Sequence, residues 1–177
     1  MKSAAAALGL VALLSGTALA QSPYAGMQSR AIKALSNEQV ADLKAGRGMG
    51  LALPAELNGY PGPSHVLELA DKLELSADQK DRIKQLFDSM KAESVPLGEK
   101  LLAQEIALNQ QFAERTVTAE SLKAATAQIG ITQAELRNTH LKYHLQTVQI
   151  LSANQMLRYS MLRGYASDAP MQHHHMQ

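Results

Sequence analysis

Between Ile83 and Phe112, apolar side chains recur at a spacing that a helix alone can bring to one side. At about 100° per residue, Ile83, Leu86, Phe87, Met90, Leu97, Leu101, Leu108 and Phe112 share one arc roughly 100° wide. Pro96 and Gly98 interrupt that run, and a proline inside a helix costs roughly 3 kcal/mol. The stripe keeps its phase across Pro96, so the spacing predicts one kinked helix about 45 Å long at 1.5 Å per residue. After the turn RTVT at 115–118, with Thr118 as N-cap, a second long helix is expected from 119 to about 150, tolerating Gly130. Two such rods on a short turn make an antiparallel hairpin, and the fold class expected is all-α.

The pentapeptide Leu-Ser-x-x-Gln is written three times, as LSNEQ at 35–39, LSADQ at 75–79 and LSANQ at 151–155. A helix starts with four backbone N–H groups that lack partners within it. Ser at the N-cap accepts from the N–H three residues on, and Gln there reaches back to the N-cap N–H. Ser36 with Gln39, Ser76 with Gln79 and Ser152 with Gln155 have this capping-box spacing. The preceding Leu can staple onto Val40 in the first copy and Met156 in the third, but meets Lys80 in the second. The repeat therefore reads as helix-start punctuation, each copy contributing about 1 kcal/mol, and not as a ligand signature.

Around these starts, short helices are expected at 35–46, ending at Gly46, and at 64–75, with Ser64 as N-cap and Val66, Leu69, Ala70 and Leu73 on one side. RGMGLALPAELNGYPGP (47–63) is a connector with one helical turn at 54–57, and a terminal helix ends at Gly164. The first twenty residues, MKSAAAALGLVALLSGTALA, have one basic residue, an apolar run and a closing Ala-Leu-Ala, the anatomy of a cleaved secretory signal. The expected organisation is thus a signal at 1–20, an arm, short helix and connector at 21–63, a helical domain at 64–164, and a polar tail at 165–177.

Past Ala20 the chain carries 16 Lys+Arg against 16 Asp+Glu, a balance that argues against nucleic acid and anionic membranes as partners. No later stretch is long and apolar enough to span a bilayer. There is no Cys, hence no disulfide and no thiolate metal site. No Ser sits in a nucleophile elbow and no Gly-rich loop follows a strand, so an enzyme is not expected.

LELSADQKDRIKQLFDSM, THLKYHLQTVQILSANQ and the two long helices between two boxes resemble the LTxxQ-motif family of periplasmic stress proteins. That family holds the Spy/CpxP-like chaperones and the CnrX- and ZraP-type heavy-metal-binding proteins. The resemblance covers about residues 64–163, with Ser in place of the commoner Thr. It implies a long helical hairpin with short flanking helices that forms a curved, concave homodimer in the periplasm. Family members hold unfolded proteins without ATP, bind metal, or report envelope stress by inhibiting a membrane sensor kinase or anti-sigma system.

His140 and His144 lie one turn apart on the second long helix. Leu136, Val148, Leu141 and Leu145 flank them, whereas Lys142, Gln146, Glu135 and Gln149 occupy the opposite arc. An imidazole on an apolar face needs hydrogen bonds or a metal to offset its desolvation. Two readings stay open: buried histidines bonded to carbonyls or carboxylates, or a helical pair ligating Cu, Ni, Co or Zn. In CnrX-type sensors the equivalent helix carries His-x-x-x-Met as ligands, so the resemblance implies a metal role for His140 and His144. It extends to His65 after the connector, although Leu69 stands where their second His would be, with Asp88 or Glu68 as a completing carboxylate. The tail run Met171-Gln-His173-His174-His175-Met176 offers further soft and borderline ligands suited to copper, nickel or zinc.

Two functions of different class follow. One is a metal-binding sensor centred on His140 and His144. The other is a chaperone whose apolar arcs, with Met90, Met156 and Met161, give clients an adaptable surface. A homodimer is expected because two helices with one apolar face each form a thin layer that a second copy would cover.

Overall fold

The computed structural model describes residues 23–165. The signal expected at 1–20 and the tail ligands His173, His174, His175 and Met176 lie outside the described residues. Among the described residues there is one short 3-10 turn, Met27–Ser29, and six α-helices with no strand: α1 Asn37–Ala45, α2 Leu53–Glu56, α3 Pro63–Glu68, α4 Ala77–Ala113, α5 Ala119–Val148 and α6 Ala153–Leu162.

The capping boxes form as read. Gln39, Gln79 and Gln155 N–H groups each donate to the N-cap serine hydroxyl, and each Gln Oε1 accepts the N-cap N–H, at 2.8–3.2 Å. Thr118 caps α5 with Ser121 closing the box. The expected helix over 64–75 is a correction. Gly62 is its N-cap with Pro63 in the first turn, so Ser64 lies inside it. It ends at Glu68, and the residues after it form turns in which Glu74 takes a left-handed conformation, φ 53°, that a helix cannot contain.

The two long helices pack against each other as the hairpin's arms. Their register is antiparallel: Lys142 pairs with Glu93 and Lys100 with Glu135, seven residues forward on α4 matching seven back on α5. α4 runs unbroken through Pro96; both Pro96 and Ala92, whose carbonyl loses its helical donor, are exposed, so water can serve that carbonyl. Two residues on, Gly98 has a packing reason. A β-carbon there would collide with the Leu43 carbonyl oxygen, because α1 crosses α4 at backbone contact. The buried Ser94 hydroxyl donates to the Gly46 carbonyl at 3.3 Å and ties the end of α1 to the same place.

Two apolar cores form along the hairpin. One joins Ile32, Leu43, Leu101, Leu102, Ile129 and Leu136, so the segment before α2 belongs to the body of the molecule. The other joins Val66, Leu73, Leu75, Ile83, Leu151 and Tyr159 around the base. On α5 the buried face is Ile129, Thr132, Leu136, Thr139, His140, Tyr143, His144 and Thr147. Leu145 is 55% exposed, so the inward arc is rotated from the one the apolar residues alone suggest. Threonines fill it because a methyl packs while the hydroxyl can turn back to the helix, as Thr147 Oγ1 does on the Tyr143 carbonyl at 2.7 Å.

Candidate metal-binding cavity

Along α4 the two cores meet Ile83 on one side and Leu101 on the other, and between these lie Phe87 and Met90. Along α5 and the link after it, Leu136 and Leu151 bracket His140 and His144 in the same way. The gap between cores is a cavity of about 560 Å³. Its other wall is the connector from Ala45 to Leu53, together with Glu56, Gly62 and His65. The structure therefore brings three of the sequence candidates, His65, His140 and His144, to one cavity.

His144 is 7% exposed, and its Nδ1 lies 2.6 Å from the Tyr60 carbonyl oxygen. A carbonyl only accepts, so Nδ1 carries a proton, and it is Nε2 that has a lone pair to offer whenever the ring is neutral. That orientation depends on Gly62. A β-carbon at that position would sit 2.8 Å from His144 Nε2, inside the ring's own space. The connector can close over the imidazole because glycine is there.

His140 is 3% exposed, and its Nε2 is buried without a hydrogen-bond partner. Burial, and then the neighbouring His144, push its pKa below the usual histidine value, favouring the neutral ring. His65, less enclosed, places Nδ1 3.4 Å from Glu56 Oε1, within ion-pair distance of that carboxylate. An unpaired buried nitrogen costs about 1–3 kcal/mol. The reading of the histidines as bonded to carbonyls or carboxylates accounts for Nδ1 of His144 and, through Glu56, for His65, and leaves Nε2 of His140 without an explanation.

Of the carboxylates named from sequence, Asp88 points away and pairs with Lys84 at 2.6 Å on the exposed face of α4. Glu68 does line the cavity, where the Ser64 hydroxyl reaches it at 3.4 Å. The central anion is one that sequence reasoning missed: Glu56, 5% exposed. Burial alone would raise its pKa. Hydrogen bonding from His65 and Tyr159, the His65 charge and the Gly62 N–H outweigh that and hold the carboxyl at about 2. No periodicity could have revealed it, since α2 is a single turn between two irregular segments. The only hint was an acidic residue in an otherwise apolar stretch, LALPAEL.

Among the described residues, no three His, Cys, Asp or Glu side chains converge as an ion cage. The donor set nonetheless suits a transition metal. It comprises three imidazoles, one buried carboxylate and the Met90 thioether, with His140 Nε2 buried and unpaired. Nitrogen locked by a backbone carbonyl, as in His144, is the usual outer support of a metal-ligating histidine.

No protein-family model, curated protein or solved structure matches the chain.

Proposed function

We propose that this chain is a periplasmic stress-response protein of the Spy/CpxP type whose central cavity takes up a divalent transition-metal ion, Cu, Ni, Co or Zn. The observation that supports this reading is the buried pair His140 and His144, one with an unpaired Nε2 and the other with Nδ1 committed to a carbonyl. A bound ion would supply the electron-pair acceptor that His140 Nε2 lacks in the folded chain and that a neutral His144 could meet with Nε2. His65 and Glu56 are the remaining candidates to hold it, and Met90 offers a softer donor.

Calorimetry with each ion on wild type, on His140→Ala/His144→Ala and on a chain ending at Ala169 tests the reading. Affinity is expected to vanish in the double variant and to survive removal of the tail. Binding that follows the tail instead would move the function to His173, His174, His175 and Met176.

A second reading, a holdase for unfolded clients, is favoured by the apolar surface toward the hairpin's turn. Ile106, Phe112 and Ile131 are 48%, 55% and 51% exposed there. A homodimer would cover part of such a surface, with light scattering giving twice the monomer mass. For client binding, near-stoichiometric protein should keep a denatured client from aggregating without ATP. Unimpeded aggregation would count against it.

A further inference from the structure

Among the described residues Glu56 is the one fully buried carboxylate, and three parts of the chain meet on it. From the cavity, His65 Nδ1 lies 3.4 Å from Oε1 and His144 Nδ1 lies 3.8 Å from Oε2. From the connector, the Gly62 N–H donates to Oε2 at 3.2 Å. From the C-terminal end, the Tyr159 hydroxyl donates to Oε1, the Tyr165 hydroxyl donates to the same oxygen at 3.3 Å, and Arg163 Nε stands 3.6 Å away. Tyr159 is 1% exposed, and its ring is built into the core with Val66, Ile83 and Leu151. Its hydroxyl cannot leave Glu56 unless α6 itself shifts.

We propose that Tyr159 is a positioning residue for an ion held by His140 and His144, acting through Glu56, so that filling the cavity and holding α6 in place are linked. The inference rests on the metal-binding reading of the cavity. Glu56 faces His144 from the Nδ1 side, 3.8 Å away, so it would orient and polarise the ring from behind an ion on Nε2. The direction in which Glu56 presents its oxygens is set from α6. Outer partners of this kind are worth 10- to 100-fold in metal affinity. Linkage is reciprocal, so whatever factor α6 adds to ion affinity the ion returns to the docking of α6. The C-terminal helix would thereby report the state of a cavity it does not line.

The test uses the full chain with His173→Ala/His174→Ala/His175→Ala to silence the tail, and nickel ion alone as probe. Calorimetry measures affinity, and amide hydrogen exchange over 153–162 is followed with and without nickel. Nickel is expected to slow that exchange, and Tyr159→Phe to bind about 10- to 100-fold more weakly and to lose the nickel-dependent protection. A merely structural role for the hydroxyl would raise exchange equally with and without nickel. Tyr165→Phe, at a ring 39% exposed, gives a second measurement should Tyr159→Phe fold poorly, with a few-fold loss expected. If nickel binds and neither variant changes affinity or exchange, the coupling is overturned while the cavity site stands. If nickel does not bind, or binds undiminished after His140→Ala/His144→Ala, both fall.

Discussion

The side-chain amides of Gln79 and Gln155 hold each other across the base of the hairpin. Gln79 Nε2 donates to Gln155 Oε1 at 2.9 Å, and Gln155 Nε2 donates to Gln79 Oε1 at 3.0 Å. Each amide's remaining reach is used on the partner's side of the molecule, Gln79 on the Ile150 carbonyl and Gln155 on the Leu73 carbonyl. Two helix starts separated by 76 residues are thus capped by one shared unit. Their third relative, Gln39, caps α1 alone.

That arrangement makes the caps unequal in stability. Ser36→Ala removes an isolated cap and should cost about 1 kcal/mol. Gln79→Ala removes the box and also leaves the partner amide short of bonds, for which about 2–3 kcal/mol is expected. In a urea-denaturation double-mutant cycle, Gln79→Ala and Gln155→Ala should be non-additive by at least about 0.5 kcal/mol. Simple additivity would mean that the two boxes act independently.

Gly98 carries the crossing of α1 over α4. Gly98→Ala normally favours a helix by close to 1 kcal/mol. Here the added methyl meets the Leu43 carbonyl, so a net loss of about 1–3 kcal/mol is expected, with α1 amides exchanging faster. Thermal melts showing the variant to be more stable than wild type would refute the close crossing.

Acid should unfold the protein in a defined window. Glu56 is held at about 2 against an ordinary carboxyl value of 4.5, so on acidification the unfolded chain takes up this proton first. The stabilisation is complete above about pH 4.5 and drains away as pH falls toward 2, on the order of 3 kcal/mol in all. Glu56→Gln should flatten urea-derived stability across that window. A wild-type curve that is level there would rule out the role.

His140 adds an earlier decline. Its folded pKa lies below 6.5, so the unfolded state again binds the proton first, and stability should begin to fall as pH drops through 6.5. His140→Gln is expected to remove that first decline and leave the one from Glu56. Identical profiles for wild type and variant between about pH 7 and 5 would contradict it.

Gly62 should matter to metal affinity more than to folding. Its β-carbon position lies 2.8 Å from His144 Nε2, so Gly62→Ala must turn the imidazole or lift the connector. Nickel affinity is expected to fall at least about tenfold, equivalent to 1.4 kcal/mol, with far-UV dichroism unchanged. Equal affinity in the variant would indicate that Nε2 is not a ligand.

Helix starts, the long hairpin and its turn were legible in the residues because they are local. A serine meets a glutamine three positions away, and an apolar stripe repeats with the helix's own period whatever lies against it. The short helix at 63–68 was misplaced because Gly62 and Pro63 outweigh a serine, and the left-handed Glu74 leaves no mark on hydropathy. His140 and His144 could be picked out from a single helix face. That His65 shares their cavity was implied by resemblance, not by spacing.

Local sequence by itself determined where the rods begin, how long they run and that two imidazoles point inward. Only the tertiary structure decided what surrounds them: Glu56 from a one-turn helix, the Tyr60 carbonyl that orients His144, the glycines that let backbone press against side chain, and the Gln79–Gln155 pair. Helical periodicity acts over three or four residues, whereas these contacts join positions from six to more than a hundred apart. Such distances are closed by packing, and no pattern within either segment encodes them.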